Sequence, residues 1–125
     1  MNAILEDDAD HLWLGNWSGG LNRFDKRTGK FENFAQIQEK GGKNPNDIWC
    51  LSRAADGDIW VGTYWKGLYK FDVNHKKFTA YGFPDKGRYS VFRLLDLGND
   101  LVAVACNDNF YWLSPSTHQW RQIIG

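Results

Sequence analysis

The chain lacks most of what several protein classes require. Its 125 residues carry 15 Lys and Arg against 15 Asp and Glu, so no excess of one sign draws it to nucleic acid or to an anionic membrane surface. It has no run of about 18 apolar residues and no charged and apolar leader, so no membrane insertion is expected of this segment. Cys50 and Cys106 are its two cysteines. With no CxxC or Cys/His spacing around them, two buried free thiols are expected, and a Cys50–Cys106 disulfide stays open. Catalysis needs a positioned nucleophile, acid, base or metal. Neither HExxH nor GxSxG occurs, and His11, His75 and His118 fall at turn positions that do not correspond to one another. The chain is expected to be non-catalytic and to hold no cofactor and no metal. The acidic run Glu6, Asp7, Asp8 and Asp10 has oxygen ligands that would suit Ca²⁺ but lacks the ligand spacing and glycine of a known loop. A solvated hairpin tip is expected there instead.

What the chain does have is repetition, with 42% hydrophobic and 16% aromatic residues to fill a core. "HLWLGNWSGGLNRFDKRTGKF" (residues 11–31) returns as "DIWVGTYWKGLYKFDVNHKKF" (residues 58–78). Trp13 matches Trp60, Gly15 Gly62, Gly20 Gly67, Leu21 Leu68, Phe24 Phe71, Asp25 Asp72 and Phe31 Phe78, each pair 47 apart. A weaker third copy, "DLVAVACNDNFYWLSPSTHQW", follows at an offset of 42. That offset sets Leu101 at Ile59, Phe110 at Leu68 and Trp120 at Phe78, with Val102 in the Trp position and Val104 and Asn109 in the Gly positions. A period of 40–47 residues fits a propeller blade or a helical array.

Local pattern decides between these. No stretch sustains apolar spacing at three and four residues over helical length, and each unit breaks into four short apolar runs separated by turn residues. The fold is therefore expected to be all-β, with about three four-stranded antiparallel β-propeller blades at about 1–35, 47–82 and 90–125, forming a partial propeller or one that closes by oligomerisation. Asp56-Gly57 predicts a type I′ hairpin turn. Asp25 and Asp72 are expected to accept turn amides, and Gly29 or Asn74 to take a left-handed conformation. The second strand of each clear unit is apolar on both faces, with Trp13 or Trp60 opposite Leu12 and Leu14 or Ile59 and Val61, as in a strand covered on both sides. Trp13, Gly15, Gly20, Trp60, Gly62, Gly67, Asp25 and Asp72 are accordingly assigned structural roles, with close approach of a backbone or a Trp expected at Gly15 and Gly62.

In such a meander the loops between strands two and three share one face with the links between units. That face carries "NWSGG", "TYWKG" and "CNDN" and is the expected functional side. Trp17, Tyr64, Trp65, Asn107 and Asp108 are the candidate ligand-binding residues there, since rings beside amides and carboxylates suit a sugar, whose C–H faces stack while its hydroxyls hydrogen-bond.

With Trp-x-Gly, Gly-Leu-x-x-Phe-Asp and Lys-Phe in place, the repeat resembles the two-component regulator propeller family, most fully over residues 49–81 and nearly as well over 3–34. The resemblance implies the periplasmic sensor half of a hybrid two-component histidine kinase, with carbohydrate sensing as the associated role. Three blades are too few to close a ring, so partners are expected in the remainder of a larger sensor or in further copies of the chain. A stand-alone lectin-like module forming a ring from several chains is the alternative.

Overall fold

Each of the apolar runs becomes a strand. The computed structural model describes residues 3–16, 20–34, 48–64, 67–82, 89–107 and 109–123. The first unit folds as β1 (Ala3–Asp8), β2 (His11–Asn16), β3 (Gly20–Asp25) and β4 (Phe31–Asn33). The second supplies β5 (Ile48–Arg53), β6 (Ile59–Thr63), β7 (Leu68–Asp72) and β8 (Lys77–Tyr81), and the third β9 (Val91–Asp96), β10 (Val102–Cys106), β11 (Asn109–Ser114) and β12 (Gln119–Gln122). They pair in chain order as three four-stranded antiparallel sheets, and no helix occurs among the described residues. The first strands lie side by side, β1 against β5 and β5 against β9, so the sheets stack face to face as successive propeller blades.

Alternation along β6 sends its side chains into two separate cores. Ile59 and Val61 join Trp13, Leu21, Phe34, Ile48 and Phe71 between the first and second sheets. Trp60 joins Leu68, Tyr81, Val91, Val102, Val104 and Leu113 between the second and third. The face of each sheet that carries Ile59 and its equivalents is its front, and the face that carries Trp60 its back. Gly15 and Gly62 permit the close stacking, but side chains approach them, not a backbone or an indole. A Cβ on Gly15 would stand 2.5 Å from Ile48 Cγ2, while one on Gly62 would meet Cys50 Sγ of its own sheet first and stand 2.8 Å from Val91 Cγ1 of the next.

Burial and pairing correct the alignment of the third unit. Val102 pairs with Asp96 across its hairpin as Ile59 pairs with Arg53, and Val102 fills the front core. Val102 therefore stands at the Ile59 position, Ala103 at that of Trp60 and Ala105 at that of Gly62, one residue beyond the sequence alignment. Phe110 and Trp120 keep their places, because Leu113 pairs with Val102 and with Trp120 as Phe71 pairs with Ile59 and with Phe78.

The turns differ in detail from expectation. At Asp56-Gly57 only Gly57 has positive φ (94°), and Gly57 N–H donates to Ala54 O at 3.0 Å, a three-residue loop of the type I plus bulge kind rather than type I′. The type I′ geometry falls in the third sheet, where Asn99 and Asp100 have φ of 55° and 62° and Leu101 N–H donates to Gly98 O. Asp25 and Asp72 do accept turn amides, from Arg27 and Thr28 and from Asn74 and His75. Gly29 is left-handed at φ 74°, but its counterpart is Lys76 (φ 57°), not Asn74. Ser114 stands where those aspartates would, and Asp100 from the neighbouring hairpin supplies the carboxylate to Ser116.

Polar latches join the blades. Arg53 reaches back to Asp7 at 3.3 Å and Lys76 to Glu32 at 2.7 Å. Asp7, which also pairs with Arg23 at 2.9 Å, is thus a blade-to-blade partner instead of part of a solvated tip. Between the second and third blades Trp60 Nε1–H donates to Asp96 at 2.9 Å, and Ala55 N–H donates to the same oxygen. Facing the Trp13 of the first blade, the position equivalent to Asp96 is held by Arg53 of the second blade, a donor, and the buried Trp13 Nε1 has no hydrogen-bond partner among the described residues. Tyr89 straps the last link. Its hydroxyl donates to Tyr81 O at 2.6 Å and accepts from Leu68 N–H at 3.1 Å.

Burial pushes the Asp96 carboxyl up, but the Trp60 indole and the Ala55 and Gly98 amides together outweigh it and hold the group below its ordinary 3.8. A carboxyl depressed in the folded state stabilises above its unfolded pKa, and that contribution is lost as pH falls through the folded value. Asp96→Ala should therefore cost about 2 kcal/mol at pH 7, since it removes the acceptor of three donors, and the gap from wild type should close as pH drops below about 4. Urea unfolding of both proteins across that range measures it, and a gap independent of pH would refute the latch.

Candidate functional site

The face that carries the β2–β3, β6–β7 and β10–β11 loops is also where β5 and β9 begin. Both strands are irregular at that end, in the same way. In β5, Ile48 pairs with Thr63 and Cys50 with Gly62, leaving Trp49 as an extra residue. In β9, Arg93 pairs with Ala105 and Val91 with Cys106, leaving Phe92 as the extra residue. A bulge of this kind releases one side chain from the alternation of the sheet and re-aims it. Trp49 and Phe92 are repeat equivalents 43 residues apart, and their rings meet at 4.9 Å with a 40° tilt. Tyr64, which follows β6, lies 4.7 Å from Trp49 at 33°. Tyr64 is 40% and Phe92 42% exposed, so three tilted rings from two blades form one open aromatic shelf.

Polar atoms beside the shelf are committed to the fold. Thr63 Oγ1–H donates to Gly67 O at 2.6 Å. The Asn107 side-chain oxygen accepts from Ser90 N–H at 3.0 Å, and Asn107 itself turns the chain at φ 49°, so this candidate ligand residue has a structural duty through that oxygen. Of the other candidates, Tyr64 belongs to the shelf, while Trp17, Trp65 and Asp108 lie outside the described residues. Alignment of the loops alone does not find Trp49 and Phe92. The signal for Trp49 is the unbroken apolar run Ile48-Trp49-Cys50-Leu51, which violates two-residue alternation where a bulge sits.

Elsewhere the described residues offer little reactive chemistry. Ligand atoms of Asp7, Asp8 and His11 lie within 4.8 Å of one another. Asp7 is however spent on Arg23 and Arg53, and the His11 ring donates to the Asp8 carboxylate at 2.8 Å, a contact that lowers the Asp8 pKa. His75 and His118 are exposed turn residues, His118 stacked on Tyr81 at 4.1 Å. Cys50 and Cys106 are both free thiols. Burial pushes the Cys50 thiol up to about 12, which leaves almost no thiolate at neutral pH.

The stacked meanders and their shared loop face define the class: consecutive blades of a β-propeller. Residues 42–65 match the family "Two component regulator propeller". Two solved structures of the extracellular domain of BT4673 from B. thetaiotaomicron resemble the chain. One is described as part of a one component system, at 26% identity, and the other as part of a hybrid two component system, at 27%; both have a TM-score of 0.76. Each covers 96% of this chain, which spans 16% of the length of that one. The extracellular domain of the hybrid two component system BT3049 from the same organism shares the fold at 19% identity and TM-score 0.71, covering 98% of this chain and 15% of its own. No curated protein matches. The resemblance to extracellular domains supports an extracytoplasmic placement and a non-catalytic role.

For a thiol reagent at pH 8, neither cysteine should label on the timescale of free cysteine in the native protein, and both should label at once in denaturant. Rapid native labelling of Cys50, which is half-buried, would contradict its raised pKa.

Proposed function

We propose that the chain forms part of a periplasmic ligand-sensing propeller in a two-component system, non-catalytic, with the loop face as the side that meets the ligand and an oligosaccharide as the ligand class. The observation that carries this is the shelf of Trp49, Tyr64 and Phe92, placed by matching bulges in adjacent blades and left open. Exposed rings of low rotational freedom give large contact area at little entropic cost. Their tilted arrangement suits a ligand with successive weakly polar faces, as the rings of an oligosaccharide present. Committed neighbours such as Asn107 keep the shelf rigid, which lowers the cost of binding. A sensor needs selective occupancy without turnover, and the described residues supply a docking surface without a positioned nucleophile or base.

Calorimetric titration against neutral and acidic oligosaccharides tests this. A panel member should bind, Trp49→Ala and Phe92→Ala should each weaken it by roughly tenfold or more, and His75→Ala, on the opposite face, should leave it unchanged. Binding insensitive to both ring deletions, or no binding at millimolar sugar, would remove the sugar-sensing role.

A further inference from the structure

The two outermost faces of the stack, the front of the first sheet and the back of the third, are uncovered among the described residues and strongly apolar. On the front, Leu12, Leu14 and Phe24 occupy the positions of Ile59, Val61 and Phe71. Ile59, Val61 and Phe71 are 0% exposed, whereas Phe31, packed on Phe24 at 4.7 Å, is 63% exposed and Ile4 70%. On the back of the third sheet Leu95 is 59% and Phe110 54% exposed.

The back of the third sheet repeats the chemistry of the buried backs with one displacement. In the first two sheets a Trp on the second strand lies opposite a cation on the third, Trp13 with Arg23 and Trp60 with Lys70, each cation over the indole at 5.8 and 5.3 Å. In the third sheet Ala103 lies opposite Trp112, and Trp112 opposite Arg121. The indole and its cation have moved one strand outward, and an apolar mating face is retained.

Charge selects the occupant. Between the first two sheets the back is anionic, through Asp7 and Glu32, and the front cationic, through Arg53 and Lys76. At the open faces both signs are reversed together. Arg121 stands on the third back where Glu32 stands on the first, joined by Arg93, and Glu6 stands on the first front where Arg53 stands on the second. The open back therefore complements the open front of the same chain, while a copy of the first back would set Asp7 and Glu32 against Glu6.

We propose that the open back of one copy docks on the open front of a second copy, head to tail. Such a contact is heterologous and either closes into a ring or runs on as a fibre. Closed propellers hold about four to eight blades, and two copies of the three described sheets make six, a number within that range that a dimer with two identical interfaces would reach.

Light scattering on the eluting chain should give twice 14.4 kDa. Phe31→Asp on the front and Leu95→Asp on the back alter exposed side chains outside both cores, and near-UV dichroism checks that each variant keeps its packed aromatics. Each variant alone should be a monomer, because every interface in its ring would carry the defect. Mixed, the two should form a heterodimer through the one interface that is intact on both sides. A wild-type monomer at about 100 µM, a dimer indifferent to both substitutions, or a mixture that fails to associate would each overturn the proposal.

Discussion

A strand that is apolar on both faces can be solvated on neither, and β6 is such a strand. Its five residues are all buried, with Ile59 and Val61 serving one core and Trp60 the other. Complete burial of side chains of this size is worth about 1.5–3 kcal/mol each, and a single meander has no second layer against which to obtain it. The sequence must therefore supply a sheet on either side, which is why the motif is written twice in nearly the same letters and a third time in its spacing and hydrophobicity. Gly15 and Gly62 let the first strand of the following sheet approach closely, with Ile48 filling the space at Gly15 and Val91 sharing that at Gly62 with Cys50.

The shelf follows from the same constraint. Close stacking draws the first strands together, and alternation alone would bury every second residue of β5 and β9 between sheets. The bulges at Trp49 and Phe92 break that alternation at the loop end. Two rings that packing would otherwise consume are delivered to one surface, where Tyr64 joins them. Their neighbours on the same strands, Ile48 and Val91, are fully buried, so the scaffold that holds the rings is among the best-packed parts of the molecule. The same fold occurs in extracellular domains described as parts of one component and hybrid two component systems.

Strand number, strand order and the division of β6 between two cores were legible in the sequence, because period-two alternation and the Trp-x-Gly and Phe-Asp landmarks report burial directly. The register of the third unit was not. There the landmarks are lost, and small apolar residues at Val102, Ala103, Val104 and Ala105 fit either face until pairing with Asp96 and Leu113 settles it. Turn geometry was half legible, since Asp25 and Asp72 announce their amide acceptance, whereas the left-handed positions at Lys76 and His118 are imposed by the hairpins around them. At the candidate site Tyr64 was found from its loop. Trp49 and Phe92 were missed, since a bulge is a tertiary compromise that residue identity signals only by interrupting alternation.

The central claim is that stability resides in stacked faces, with the middle sheet covered on both sides. Hydrogen exchange of backbone amides, read residue by residue, tests it most directly, because protection reports the free energy of opening each segment. The amides of β6, Ile59 to Thr63, should be the slowest in the protein, and those of the outer strands β4 and β12 among the fastest. Exchange from β6 as rapid as from β4 and β12 would contradict the account.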